Sequence, residues 1–160
     1  MAKKLNSMRL LDGEGIVYEV LRFPDTIHSA QDVATHFGIP ASQVYKTLVL
    51  LSAKKTPLLV MVPADQAIDI KHLSKILGDK KLCMATQNQA EALTGLKVGG
   101  ISALALRHRH FPTYIAQNAA SFETILLSAG QRGVNLRLRT ADVVRATEAA
   151  WVETAAPPAS

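Results

Sequence analysis

The sequence predicts a mixed α/β domain built on a mostly antiparallel sheet that is able to curl closed. Two observations carry this: strands predominate with helices interspersed among them, and links of hairpin length recur, which argues against a doubly wound parallel sheet. Residues 3–11 are expected to form a short helix that stops at Asp12-Gly13-Glu14-Gly15, and residues 16–23 read as a strand ended by Pro24-Asp25. Ser29 is placed to cap a helix carrying Ala30, Val33, Ala34 and Phe37 on one face, with Gly38 ending it. The apolar runs 47–51 and 57–62 flank the polar link Ser52-Ala53-Lys54-Lys55-Thr56 and should pair as buried strands. Asp69 can cap a helix with Ile70, Leu73, Ile76 and Leu77 at helical spacing, closing at Gly78 before a short strand near residues 82–85. Thr86 with Gln89 matches a capping box for a brief helix that Gly95 ends. Strands are then expected at 102–106, 113–116, 122–128 and 134–138, with residues 129–133 as a tight connection and a last helix capped by Thr140 and running to about Thr147.

The chain has 160 residues, 48% of them hydrophobic and 19% charged, enough for one domain with a core. We place that domain at residues 1–154 and expect the tail at 155–160 to be mobile. Aromatics make up only 5%, so Leu, Val, Ile and Ala must fill the core, with Phe37, Phe111 and Phe122 as the large fillers. No apolar run reaches membrane-spanning length and no signal-peptide pattern follows Met1, so a cytoplasmic protein without a membrane partner is expected. Cys83 stands alone and reads as a buried structural thiol rather than a disulfide or metal ligand. The formal net charge of +5 favours anionic partners. Three basic groups, at Lys71, Lys75, Lys80 and Lys81, at residues 107–110, and at Arg132, Arg137 and Arg139, are each either a solvated face or part of an RNA or nucleotide surface.

Few residues suggest chemistry on their own. Lys46, at the mouth of an apolar strand, either points into water or sits beside a buried sheet where its ammonium can hold an anionic or carbonyl oxygen. Gly99-Gly100, ahead of Ile101-Ser102, is either a bend entering a strand or a loop whose backbone approaches a ligand. It is neither a dinucleotide fingerprint nor a P-loop. No nucleophile elbow surrounds Ser102, and His28, His36, His72, His108 and His110 show no metal-ligand spacing, so a hydrolase triad and a metal enzyme are both rejected. His28, beside the Ser29 cap, is the histidine to watch, with an exposed loop position as its plainer reading.

Taken in order and spacing, four segments form a pattern: Val44-Tyr45-Lys46-Thr47-Leu48-Val49, Leu93-Thr94-Gly95, Val98-Gly99-Gly100-Ile101-Ser102 and residues 122–133. Together they resemble the YbaK/ProX family of aminoacyl-tRNA deacylases, over residues 17–147. The resemblance implies a sheet curled toward a barrel with surrounding helices, like the editing domain inserted in bacterial prolyl-tRNA synthetases but standing alone. It implies trans-editing hydrolysis of mischarged aminoacyl-tRNA, Cys-tRNA(Pro) in the YbaK branch and Ala-tRNA(Pro) in alanine-specific members. No metal or cofactor is implied, and the substrate's own thiol is thought to attack the ester. Carried over by position, Lys46 is the catalytic residue, Gly99, Gly100, Ile101 and Ser102 form the substrate loop, and Ser128 and Gly130 form a second wall. Thr47 and His28 join them as substrate-binding residues, and Arg107 and Arg109 are read as contacts to the acceptor end of tRNA(Pro). Prolyl-tRNA synthetase is a candidate partner, and DNA is not expected. The family's loop usually ends in proline where this chain has Ala103, which puts the substrate in question and keeps a non-catalytic tRNA- or synthetase-binding module as the alternative.

Overall fold

The caps written in the sequence set where the helices begin. In the computed structural model, which describes residues 4–155, the elements run α1 (Asn6–Gly13), β1 (Tyr18–Arg22), α2 (Ala30–Phe37), β2 (Val44–Leu51), β3 (Pro57–Pro63), α3 (Ile70–Leu77), β4 (Cys83–Met84), α4 (Gln87–Thr94), β5 (Thr113–Ala116), β6 (Thr124–Gln131), β7 (Val134–Arg139), α5 (Thr140–Thr147) and β8 (Ala150–Val152). Ser29 Oγ accepts the Asp32 N–H at 3.0 Å ahead of α2, and the Asp69 carboxylate accepts the His72 N–H at 3.0 Å ahead of α3. Ahead of α4, Thr86 Oγ1 accepts from the Gln89 N–H at 3.1 Å while the Thr86 N–H donates to Gln89 Oε1 at 2.9 Å. Each arrangement satisfies amides that a first helical turn leaves without partners.

The sheet is mixed and open. Its strand order is β1-β7-β6-β2-β3-β5-β8, with β4 added to β2. Four pairings are antiparallel (β1–β7, β2–β3, β2–β4 and β6–β7) and three are parallel (β2–β6, β3–β5 and β5–β8). The antiparallel majority agrees with the sequence reading, but among the described residues the sheet does not close: β1 pairs there only with β7 and β8 only with β5.

At β2 the sheet forks. One edge of β2 pairs with β3 from Tyr45 to Leu51. The other edge meets β6 only at Val44 and Tyr45, and β4 only at Leu50 and Leu51, so residues 46–48 face no strand there. Side chains of β2 alternate between cores. Tyr45 and Val49 enter the main core with Leu11 of α1, Ala90 of α4 and Val143 of α5. Leu50 packs with Leu73 of α3, and Val44 with Val33 and Ala34 of α2. Burial on both faces is why β2 and β3 read as nearly continuous apolar runs.

Several expectations are corrected. Residues 102–106 are not a strand but a buried turn, in which the Leu106 N–H donates to the Ser102 carbonyl at 3.1 Å and the Ala105 N–H to Ser102 Oγ at 3.2 Å. Ala103-Leu104-Ala105-Leu106 imitates a buried strand in hydropathy yet holds no β-branched residue to favour one. The connection expected at 129–133 is shorter: β6 runs on to Gln131 through a register shift between Ser128 and Gln131, leaving Arg132 and Gly133 as the turn. Thr140 is the first residue of α5 rather than its cap, and its Oγ1 donates to the Phe122 carbonyl at 2.7 Å. Phe37, Phe111, Phe122 and Cys83 are only half-buried, and β8 was not anticipated. Of the expected tail, residues 156–160 lie outside the described residues. No helix among the described residues is long and apolar enough to cross a membrane.

Candidate active site

The fork of the sheet opens into a cavity of about 410 Å³. Residues 45–49 of β2 form its floor, the chain entering α2 and the segment from β4 to α4 form its sides, and Val98, Gly99 and Ile101 close it with Ser128 and Asn135 of the β6–β7 hairpin. On the open edge of β2 the Val49 carbonyl accepts the Ala85 N–H at 3.0 Å, whereas on the β3 side the Val44 carbonyl accepts the Ala64 N–H at 2.8 Å. Backbone groups alternate edges along a strand, so the N–H and C=O of Thr47 point into the fork, where no strand pairs with them. A short stretch of free edge beside a cavity presents one donor and one acceptor to a ligand.

Lys46 is half-buried at this edge and forms no ion pair among the described residues. The described residues lining the cavity include no Asp or Glu. A partly desolvated ammonium without a carboxylate partner favours an anionic or strongly polarised oxygen in the cavity. Tyr45, 2% exposed, also reaches the cavity, and its hydroxyl has no hydrogen-bond partner among the described residues. Burial, and secondarily the Asp65 carboxylate, holds this phenol well above its ordinary range, so it remains a neutral donor.

The loop is held by close packing. Gly99 has φ +92°, and a Cβ there would lie 3.2 Å from His28. A Cβ on Gly100 would lie 2.9 Å from the Arg132 backbone nitrogen, and Arg132 Nε donates to the Val98 carbonyl at 2.7 Å, which clamps the hairpin tip onto the loop. The bulge in β6 turns Gly130 (φ +108°) away from Ser128, whose Oγ accepts the Gly130 N–H at 3.1 Å.

Of the residues singled out in the sequence, Lys46, Thr47, His28, Gly99, Ile101 and Ser128 meet at the cavity wall. His28 is exposed, with Nε2 3.0 Å from the Asp25 carbonyl. Gly100 lies behind the wall, packed on the hairpin. Ser102 is fully buried, with Oγ engaged by the Ala105 N–H, so it offers the cavity no hydroxyl. Gly130 lies outside this cavity, where a Cβ would come within 2.8 Å of the Ala105 side chain. The Arg107 guanidinium is held by Glu14 and Glu148 at 2.5 and 2.7 Å. Arg109 is exposed and stacks over the Phe111 ring at 5.0 Å.

Residues 25–146 match the family described as the aminoacyl-tRNA editing domain. The chain belongs to that family. It is 33% identical over 153 residues to EbsC of Enterococcus faecalis, named as a Cys-tRNA(Pro)/Cys-tRNA(Cys) deacylase, and the match covers 94% of this chain and 93% of that one. It is 28% identical over 94 residues to the proline–tRNA ligase of Thermodesulfovibrio yellowstonii, a match covering 59% of this chain and 16% of the ligase. In fold it resembles the hypothetical protein APE2540, with a TM-score of 0.84, 21% identity, and 92% of this chain and 97% of that one covered. It also resembles a structure described as a trans-editing enzyme for prolyl tRNA synthetase, with a TM-score of 0.77, 21% identity, and 94% and 98% covered. The family resemblance read from the motifs is thus confirmed, and the chemistry of this editing domain is deacylation of aminoacyl-tRNA.

Gln31, Gln87, Tyr45 and Asn135 also line the editing domain's cavity and escaped the sequence reading. Tyr45 adjoins Lys46 but reads as an ordinary strand aromatic, and Asn135 reads as one of the polar residues of an alternating strand. Asn135, 5% exposed, pairs in register with Ser128, so the two project together from the hairpin. Strand alternation puts Asn135 on the face of Arg137 and Arg139, so the sequence carries no signal that this amide is sheltered.

Proposed function

We propose that this editing domain hydrolyses mischarged tRNA in trans, with Cys-tRNA(Pro) as its substrate and residues 1–154 acting as one domain. The observation that carries this reading is the cavity of about 410 Å³ at the fork, which joins an unpaired lysine and a free stretch of strand edge and has no Asp or Glu among its described lining residues. The volume suits a small aminoacyl group together with part of a terminal ribose. EbsC, named for Cys-tRNA(Pro) and Cys-tRNA(Cys), supports the choice of amino acid.

In this reading Lys46 binds the ester carbonyl oxygen, and the Thr47 backbone orients the aminoacyl group. His28, Gly99, Ile101 and Ser128 enclose it. Gly100 and Ser102 hold the loop from behind. The substrate's thiol sulfur attacks the ester carbonyl carbon. The carbon–sulfur bond forms, the bond to the ribose oxygen breaks, and the thiol proton passes to that oxygen. Water then opens the resulting thiolactone to free cysteine. Negative charge gathers on the carbonyl oxygen during the attack, where the Lys46 ammonium is worth most, so rate comes from positioning and electrostatics without a metal.

The test is a panel of Cys-, Ser-, Ala- and Pro-tRNA(Pro), assayed with and without a chelator. We expect rapid, chelator-insensitive loss of cysteine and slow loss of serine, which has the same shape but a far poorer nucleophile. Equal rates for Cys and Ser would refute the thiol step, and preference for Ala would move the domain to a water-attack mechanism. Tight tRNA binding without cleavage of any ester would make it a binding module.

A further inference from the structure

Behind the β6–β7 hairpin lies a second depression, about 630 Å³ in volume, which the deacylation chemistry does not use. Ser128 and Asn135 line the catalytic cavity, while their chain neighbours Ala129 and Val134 line the second depression. Strand side chains alternate between faces, so the two hollows lie back to back across one hairpin. The loop repeats this arrangement: Leu96 borders the second hollow and Val98 the first.

The second hollow is basic. Arg9 of α1, Arg22 of β1 and His108 line it, all exposed, and no Asp or Glu is among the described residues that do. Neither arginine is in an ion pair among the described residues. The carboxylates nearest in sequence to Arg9 are already engaged, Asp12 by Lys4 and Tyr18 and Glu14 by Arg107. By contrast, the lysines near the β2–β3 turn stand around Asp79 on an open surface.

We propose that this groove binds the phosphates of the tRNA acceptor strand just upstream of the terminal adenosine, with Arg9 and Arg22 as the phosphate contacts. The strand leaves the catalytic cavity over the hairpin tip and descends into the groove. The role assigned to Arg107 and Arg109 from the sequence passes to residues that the chain order does not place near the loop. Guanidinium groups suit this role because they meet phosphate oxygens in bidentate fashion. The inference rests on the deacylase reading in taking tRNA as the ligand.

The experiment compares the full-length protein with the double variant Arg9→Ala/Arg22→Ala, and with Lys80→Ala/Lys81→Ala as a control for general surface charge. Binding of uncharged tRNA is measured across a salt series, and hydrolysis is followed on both Cys-tRNA(Pro) and cysteinyl-adenosine, which has no upstream phosphate. We expect the arginine variant to bind tRNA roughly 10- to 100-fold more weakly at low salt. Its plot of log affinity against log salt should be shallower by about two, one for each lost phosphate contact. Hydrolysis of cysteinyl-adenosine should be unchanged. Unaltered tRNA affinity and slope, an equal loss in the lysine control, or an equal loss on cysteinyl-adenosine would overturn the proposal. Unaltered tRNA binding with lost association to the synthetase would assign the groove to a protein surface instead. If no ester is cleaved by the native protein, the deacylase reading fails while the binding arm still decides the groove.

Discussion

Tyr45 carries a polar group that has no hydrogen-bond partner among the described residues. Replacing it with phenylalanine removes a buried hydroxyl that forms no intramolecular hydrogen bond, so stability should change by no more than about 1 kcal/mol. Its pH dependence should change more visibly. The folded phenol keeps its proton to higher pH than the unfolded one, whose pKa is about 10. Its stabilising contribution is therefore complete below about pH 10 and is lost as pH rises beyond it. Urea titrations from pH 8 to 11 should show Tyr45→Phe declining less steeply than the native protein, and parallel curves would contradict the assignment. Lys46 was singled out through the resemblance, since its position alone left a water-facing lysine open, whereas Tyr45 beside it was not, since an aromatic residue in a strand is what a core ordinarily contains.

Local signals decide the helices. Ser29, Asp69 and Thr86 cap the helices they were expected to cap, because an N-cap interaction spans three residues and needs nothing from the rest of the chain. Thr86→Ala should cost about 1 kcal/mol by removing half of a reciprocal pair, and a urea midpoint that does not move would show the box to be energetically idle. Non-local contacts were not legible. The fork exists because β2 pairs in parallel with β6 and antiparallel with β4 on the same edge, partners separated by much of the sequence. Nothing in a single strand's composition announces such a neighbour. The buried turn at residues 102–106 was missed for a related reason: its hydropathy matches a strand, and only the Ser102 hydroxyl and carbonyl that close it distinguish the two. Those two bonds also tie down the turn at Ala103, where the family usually has proline.

Across the molecule, one hairpin separates a hollow with one lysine among its described lining residues from a basic groove, and in the proposed reading the first takes the ester and the second the phosphates. The net charge of +5 was visible in the sequence, but its division between surfaces was not, because Arg9, Arg22 and His108 converge only through the sheet order. The same topology puts Lys46 at the open edge of the central strand, and the account stands or falls on that residue. Its most direct test is single-turnover deacylation of Cys-tRNA(Pro) by the native protein and by Lys46→Ala, with tRNA affinity measured in parallel. Loss of a preorganised charge at the reacting oxygen should slow cleavage by about 100-fold or more while leaving tRNA affinity nearly unchanged. Cleavage at the native rate by Lys46→Ala would contradict the assignment of the active site to the fork of the sheet.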